Sequence, residues 1–127
     1  MPINVLFFVE SRYKVDRKRI IAAVKDLLKD HGLVSEVEIS VAIVGDRKMR
    51  ALNIKYRNLD KTSNVLSFPT SEGEKIPMPS DILRLGDVVI SYPEVIREAA
   101  KEEWLVDDRI EELVLHGVKH LLGILHT

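Results

Sequence analysis

The sequence predicts one α+β (α/β-like) domain over residues 1–127, with a mixed four-stranded β-sheet covered by helices and a metal-binding C-terminal helix. Short β-branched segments with strand periodicity follow one another among longer segments with helical periodicity, and no linker, repeat or low-complexity segment divides them. A further observation is that three of the four histidines lie between His116 and His126. This clustering near the C-terminus predicts a functional site on the last helix.

Four strands are predicted from β-branched and aromatic runs. They are residues 3–9, 36–44, 64–68 and 85–91. The second is the clearest, since every second residue from Val37 to Ile43 is valine or isoleucine, which is typical of a strand with one buried face. Pro69 ends the third strand, and residues 70–84 are predicted to form a loop.

Four helices complete the predicted order β-α-β-α-β-β-α-α. They cover residues 16–31, 47–56 and 93–104, and a last helix that follows a cap at Asp107 or Asp108 and carries the first two histidines. Asp16 and Asp46 are the predicted N-caps of the first two helices, and Met49, Leu52 and Tyr56 are the predicted inner stripe of the second helix. The fourth histidine, His31, precedes Gly32 and is interpreted as a C-terminal capping residue of the first helix.

The composition is that of a globular protein without a strong global charge, with 46% hydrophobic residues, 31% charged residues and a net charge of −1. The absence of cysteine excludes disulfides and thiolate metal sites. The N-terminal apolar run lacks the features of a signal peptide, and no segment is long enough to span a membrane, so we expect a cytoplasmic protein without a membrane partner.

Charged residues are distributed unevenly along the chain, although the net charge is close to zero. Between Arg47 and Lys61 six basic residues stand against one acid, Asp60. Such a stretch can present a basic patch to a phosphate backbone, although a solvated helix face is the commoner reason for it.

The segment H-G-V-K-H-L-L-G-I-L-H, residues 116–126, has the spacing of a metal site. His116 and His120 are four residues apart, so on a helix they project from one face. Gly123 can end that helix, which would allow the chain to bring His126 to the same ion. Three histidines without a fourth protein ligand indicate an open coordination position, the mark of a catalytic zinc.

The same frame occurs in HExxHxxGxxH metalloproteases, where a glutamate after the first histidine is the general base. Here that position is Gly117, which cannot accept a proton, so peptide hydrolysis by the usual route is disfavoured. A phosphodiester is a better candidate substrate, especially RNA, whose 2′-hydroxyl can act as the nucleophile. The charge that develops on the phosphate would require a positioned arginine.

Three motifs resemble those of one family. Residues 116–126 resemble the H-G-x-x-H-L-x-G-x-x-H signature of the bacterial YbeY family, metal-dependent endoribonucleases of ribosomal RNA maturation. Residues 52–69, L-N-I-K-Y-R-N-L-D-K-T-S-N-V-L-S-F-P, and residues 85–91, L-G-D-V-V-I-S, resemble two further blocks of that family. The motifs occur in the family's order and at family-like separations.

The resemblance implies that His116, His120 and His126 hold one Zn²⁺ ion per chain and that Arg57 is the basic residue of the active-site cleft. The candidate catalytic residues are therefore Arg57 and His116. The implied activity is single-strand-specific cleavage of RNA in late ribosome quality control and in maturation of the 3′ end of small-subunit (16S) ribosomal RNA. The implied partners are ribosomal RNA and the ribosomal small subunit with its associated proteins, and DNA is not expected.

Four other residues of these motifs could support the site or contact substrate, or could have structural roles in turn and strand. They are Thr62, Asn64, Ser67 and Asp87. The sequence departs from the family before the third histidine, where Ile124-Leu125 replaces the usual Tyr-Asp, so that an aspartate of the relatives is missing.

The sequence is compatible with two other functions. One is another zinc metallohydrolase, including a protease whose base is Glu72 or Glu74 of the loop. The other is a non-catalytic ribosome assembly factor with a bound metal, which predicts a closed coordination shell and no turnover. The seven scattered aromatic residues give little sign of a base-stacking platform that such a factor could use.

Overall fold

The structure is a computed structural model that describes residues 3–10, 12–33, 36–70 and 82–123. Its elements, in chain order, are β1 (Ile3–Val9), α1 (Arg17–Asp30), β2 (Glu36–Val44), α2 (Asp46–Arg57), β3 (Val65–Pro69), β4 (Ile82–Ser91), α3 (Tyr92–Glu102) and α4 (Val106–Leu121). The predicted order of strands and helices is confirmed. Among the described residues, no helix has the length and apolarity needed to cross a membrane.

The four strands form one mixed sheet in the order β1-β2-β4-β3. β2 pairs in parallel with both β1 and β4, while β3 pairs antiparallel with β4 and lies at the edge. This arrangement confirms the predicted α+β domain with a mixed four-stranded sheet. The edge position of β3 matters for function, because its two faces border two different cavities.

Hydrophobic residues of alternate strand positions pack on opposite faces of the sheet. On one face, α1, α3 and α4 cover a large cluster that includes Val88 and Ile90 of β4. On the other face, α2 contributes the fully buried Met49 to a smaller cluster with Phe68 and Val89. The last helix and the basic helix α2 therefore lie on opposite faces of the sheet.

Helix ends differ from the prediction at three places. The N-cap of α2 is Gly45, and Asp46 is the first helical residue instead of the cap. α4 begins at Val106 after Leu105, without a side-chain cap, so that neither predicted aspartate caps it. α3 ends at Glu102 because Glu103 adopts a left-handed conformation with φ of 59°. The predicted caps Asp16 and His31 of α1 are confirmed.

The start of β4 was predicted three residues too late, and the predicted loop 70–84 is shorter on that side. The register with β2 shifts between Glu38 and Ile39, so that Leu85 is the extra residue of a β-bulge. A bulge interrupts the alternation on which strand prediction depends. Gly86 fits this place because a Cβ there would lie 2.2 Å from the carbonyl oxygen of Phe68. Residues 71–81 lie outside the described parts of the chain.

Asn53 holds the connection from α2 to β3, although it was not among the residues predicted for the inner stripe of α2. Asn53 is only 1% exposed, whereas the predicted stripe residue Tyr56 is 39% exposed. The Asn53 amide donates to the carbonyl oxygen of Lys61 and to the hydroxyl of Ser63, both at 2.9 Å. These bonds fix the loop after α2 and thereby fix the end of α2 relative to β3.

Asp46 joins the start of α2 to α3, and we expect it to make stability depend on pH. Its carboxylate accepts hydrogen bonds from Arg97 at 2.9 and 3.0 Å and from Ser91 at 3.1 Å. The Arg97 bonds, assisted by the Ser91 bond, hold the pKa of the Asp46 carboxyl below its usual value, although partial burial opposes them. The ion pair is about half exposed, so solvent screening limits its contribution to about 1 kcal/mol.

The folded protein thus binds the Asp46 proton more weakly than the unfolded chain does. The contribution is complete above the unfolded pKa of about 3.9 and is lost as the pH falls through the lower folded pKa. We expect Asp46→Asn to lower the free energy of unfolding at pH 7, and the difference from wild type to shrink towards pH 3. Urea unfolding at the two pH values measures this. An equal difference at both values would contradict the assignment.

Candidate functional site

His116 and His120 lie on one side of α4, above the edge strand β3. His116 is exposed and His120 is half-buried, while the opposite side of the helix is buried through Val114 and Val118. This amphipathic division orients the histidines away from the core. The centroids of the two imidazole rings are 5.4 Å apart.

That separation suits two ligands of one ion. Zinc–nitrogen bonds of about 2.0–2.1 Å at a tetrahedral angle place the centroids of two coordinating imidazoles about 5 Å apart. The pair also lies in the last turns of α4, and the partial negative charge of a helix C-terminus favours a cation there. The side chains His116 and His120 therefore fit zinc.

The third predicted ligand, His126, lies outside the described residues, as do Ile124 and Leu125. Up to Gly123 the chain behaves as predicted, because α4 ends at Leu121 and Gly123 has a φ of 74°. Among the residues that the structure describes, no group of three or more histidine, cysteine, aspartate or glutamate side chains could hold a metal ion. The described part of the chain contains two of the three residues that are predicted to be ligands.

A cavity of about 300 Å³ lies in front of the histidines. Its wall includes Arg57, Ser67, Pro69, His116, His120 and Leu121. The predicted catalytic residues Arg57 and His116 thus border one cavity, although 59 positions separate them in the sequence. None of the described residues that line this cavity carries a carboxylate.

Arg57 is held at the cavity wall by contacts on several sides. Its Nη2 donates to the carbonyl oxygen of Ser67 at 3.0 Å, and its Nη1 donates to that of Tyr56 at 3.2 Å. The guanidinium also lies over the Phe68 ring, 5.0 Å from the centroid. These contacts set the plane of the guanidinium, so that the group is preorganised for an anion. No sequence pattern indicated that Phe68 supports this residue.

Gly117, at the position of the missing base, has a packing role in the structure. A Cβ there would lie 2.7 Å from Cγ1 and 3.0 Å from Cγ2 of the fully buried Val88. Because position 117 has no side chain, α4 can pack closely against β4 at this point. Gly117 also borders the histidine cavity, but a Cβ at this position would press against Val88 of the sheet.

Of the four predicted supporting residues, only Ser67 borders the cavity. The Thr62 hydroxyl donates to Asp46, and the Asn64 amide donates to Glu98 at 3.1 Å, so both bind other elements of the fold. Asp87 lies on the opposite face of the sheet, where it accepts a short hydrogen bond from the Ser40 hydroxyl. Glu72 and Glu74, the alternative bases, lie outside the described residues.

A family model described as Endoribonuclease YbeY matches residues 7–127. The chain belongs to the YbeY family. A relative named Endoribonuclease YbeY from Acinetobacter baumannii is 34% identical over 119 residues, which are 94% of this chain and 75% of the relative. One of the same name from Desulforamulus reducens is 37% identical over 124 residues, which are 97% of this chain and 74% of the relative.

The fold of the chain is similar to that of a solved structure. A solution structure of a protein from Thermotoga maritima has a TM-score of 0.60 and 22% sequence identity, over 97% of this chain and 75% of that one. At this identity the likeness concerns the fold alone. The resemblance inferred from the motifs is confirmed, and the cavity between Arg57 and the histidines belongs to a YbeY-family fold.

Proposed function

We propose that this chain is a zinc-dependent endoribonuclease that cuts single-stranded RNA in the cavity between Arg57 and the α4 histidines. The observation that carries the proposal is the convergence of Arg57, His116 and His120 on one cavity in a member of the YbeY family. The relatives named above are endoribonucleases by name, which supports RNA as the substrate class.

In this proposal His116, His120 and His126 hold one Zn²⁺ ion. Bound zinc supplies Lewis-acid polarisation of a phosphate oxygen and lowers the pKa of water. Arg57 binds the non-bridging oxygens of the scissile phosphate and stabilises the negative charge that develops on them. An arginine suits this role because its planar fork of donors matches phosphate and retains its charge.

The preference for RNA follows from its 2′-hydroxyl, which gives RNA a nucleophile or a recognition group that DNA lacks. We further propose that the substrate is the 3′ end of small-subunit (16S) ribosomal RNA, in late maturation and quality control of the ribosome in the cytoplasm. The ribosomal small subunit and its associated proteins are then the partners. This part of the proposal depends on the family resemblance.

A protease is a weaker candidate on a specific observation. The frame position of the general base is Gly117, which has no side chain to accept a proton, and a Cβ there would lie 2.7 Å from Cγ1 of Val88. The described lining of the cavity also lacks a carboxylate that could replace the base.

The test compares cleavage of a 3′ fragment of small-subunit ribosomal RNA with cleavage of the same RNA in a fully paired duplex and of the same sequence as DNA. We expect cuts in the single-stranded RNA only, and loss of activity with a chelator. His116→Ala should lower the rate by about 100-fold or more, because a metal ligand is lost. His31→Ala is the matched control, since His31 caps α1 and should leave the rate unchanged.

Equal cleavage by wild type and His116→Ala would identify a contaminating nuclease and refute the proposal. Chelator-resistant cleavage that depends on His116 would refute the metal dependence alone. Metal binding without cleavage of any of the RNAs would favour the assembly factor.

A further inference from the structure

The face of the sheet opposite the histidines carries a second cavity, which the proposed reaction does not use. It is a groove of about 440 Å³, within the size range of small-molecule sites. Its lining includes Phe8, Ser40, Lys48, Tyr56, Phe68 and Asp87. We call it the α2 groove, because α2 forms one wall and the sheet forms the floor.

The α2 groove combines aromatic walls with two carboxylates, Asp87 and Glu10, and one ammonium group. Glu10 accepts a hydrogen bond from the backbone N–H of Gly45 at 3.0 Å. Phe8 and Tyr56 are 59% and 39% exposed, so both can offer ring surface to a ligand. Asp87 is half-buried, and within the described residues the only hydrogen bond that it accepts comes from the Ser40 hydroxyl. Lys48 is exposed, and it forms no ion pair in the parts of the chain that the structure describes.

Aromatic walls beside a carboxylate and an ammonium group can bind a flat ring that carries adjacent hydrogen-bond donors and acceptors. Guanine fits these groups best. A carboxylate can accept from both N1–H and N2–H₂ of guanine, and a lysine can donate to O6 or N7. On their pairing edges, adenine and cytosine place an acceptor beside the donor, and uracil places carbonyl oxygens on both sides of it. Aromatic side chains stack on unpaired bases in most single-stranded RNA sites.

The α2 groove and the proposed active site lie on opposite sides of the edge strand β3. Ser67 borders the histidine cavity, whereas the next residue, Phe68, lines the groove on the other face. Phe68 packs against Tyr56 with ring centroids 5.0 Å apart and also lies under the Arg57 guanidinium. An RNA strand that crosses β3 can therefore place a phosphate at Arg57 and a neighbouring base in the groove.

We propose that the α2 groove binds an unstacked guanine of the RNA substrate next to the scissile phosphate, with Asp87 and Lys48 as its specificity-determining residues. The inference rests on the proposed function and extends it from single-stranded RNA to a base preference. It assigns to Asp87 a role in substrate selection on the face of the sheet remote from the histidines.

The test measures binding of short RNAs to the zinc-loaded full chain by fluorescence anisotropy. The probes are 2′-O-methyl octauridylate and the same octamer with one central guanosine, inosine, adenosine or cytidine, each checked on a gel to be intact. We expect the guanosine probe to bind on the order of tenfold more tightly than octauridylate. Inosine lacks the 2-amino group and should lose most of this gain.

Asp87→Asn distinguishes recognition of guanine from a general effect of charge on RNA affinity, because the two predict changes in different directions. Removal of a negative charge should leave or raise the affinity for octauridylate, while the guanosine preference disappears. Asp26→Asn, an exposed carboxylate on α1, is the matched control and should change neither. Lys48→Met, at an exposed position that should not affect folding, should also reduce the guanosine preference.

Equal affinity of the wild-type protein for all probes would overturn the guanine site. An Asp87→Asn protein that loses affinity for every probe equally, or that still prefers the guanosine probe, would also overturn it. If RNA cleavage persists in those cases, the proposed nuclease stands without the base preference. If the chain neither binds the probes nor cleaves ribosomal RNA, both proposals fail.

Discussion

Arg57→Ala is expected to lower kcat/KM for RNA cleavage by about 100- to 1,000-fold, the usual loss when one preorganised group that stabilises transition-state charge is removed. The reason is the position of Arg57 at the wall of the histidine cavity, where two backbone carbonyl oxygens and the Phe68 ring fix its guanidinium. Arg57→Lys should recover only part of the rate, because an ammonium is a point charge without the planar fork of donors.

The controls distinguish a chemical role from a loss of structure or metal. The zinc content of Arg57→Ala should equal that of wild type, and its free energy of unfolding should fall by only about 1 kcal/mol. Arg50→Ala removes an exposed arginine of the same helix that pairs with Asp60, and its rate should stay within about twofold of wild type. A fully active Arg57→Ala protein would exclude Arg57 from the reaction.

Substitution of Gly117 is expected to have the largest effect on stability. Gly117→Ala places a methyl group against Val88 and should lower the free energy of unfolding by about 1–2 kcal/mol, because overpacking outweighs the gain in helix propensity. Gly117→Glu, which restores the metalloprotease frame, should cost at least about 3 kcal/mol, because it presses a carboxylate against the core. It should not produce protease activity.

A double-mutant cycle with Val88 tests the cause directly. In the Val88→Ala background the two methyl groups that obstruct position 117 are absent, so Gly117→Ala should be neutral or should stabilise by up to about 1 kcal/mol. Urea unfolding of the four proteins, followed by circular dichroism, gives the coupling. A destabilisation of equal size in both backgrounds would mean that the contact with Val88 is not its cause.

Much of the fold was predictable because its signals are local. The alternation in residues 36–44 and the helical spacing before Gly32 depend only on neighbouring residues, and both elements occur where predicted. Helix starts were less predictable, since Asp46 forms its bonds with Arg97 and Ser91 on distant elements instead of capping α2. The bulge at Leu85 also depends on the register with a partner strand, which the sequence does not display.

In the candidate site too, features set by neighbouring residues were predictable from the sequence pattern, whereas features set by distant residues were not. The spacing of His116 and His120 on a helix is local, and it correctly predicted two adjacent imidazoles. The approach of Arg57 to them depends on the Asn53 loop contacts and on the edge position of β3, so it was expected only from the family resemblance. Asp87 lies on the face away from the histidines because successive residues of a strand point to opposite faces of the sheet. Which helices cover each face became evident only in the structure.

The proposed function depends on the α4 histidines holding the metal that RNA cleavage requires. Its most direct test is the rate of cleavage of single-stranded ribosomal RNA during zinc titration of metal-depleted wild-type and His120→Ala proteins, with bound zinc measured in the same samples. We expect the wild-type rate to rise with bound zinc to a plateau at about one ion per chain. The His120→Ala rate should stay near background at zinc concentrations that saturate wild type. Full cleavage by the metal-depleted protein, or the same titration curve for His120→Ala, would contradict it.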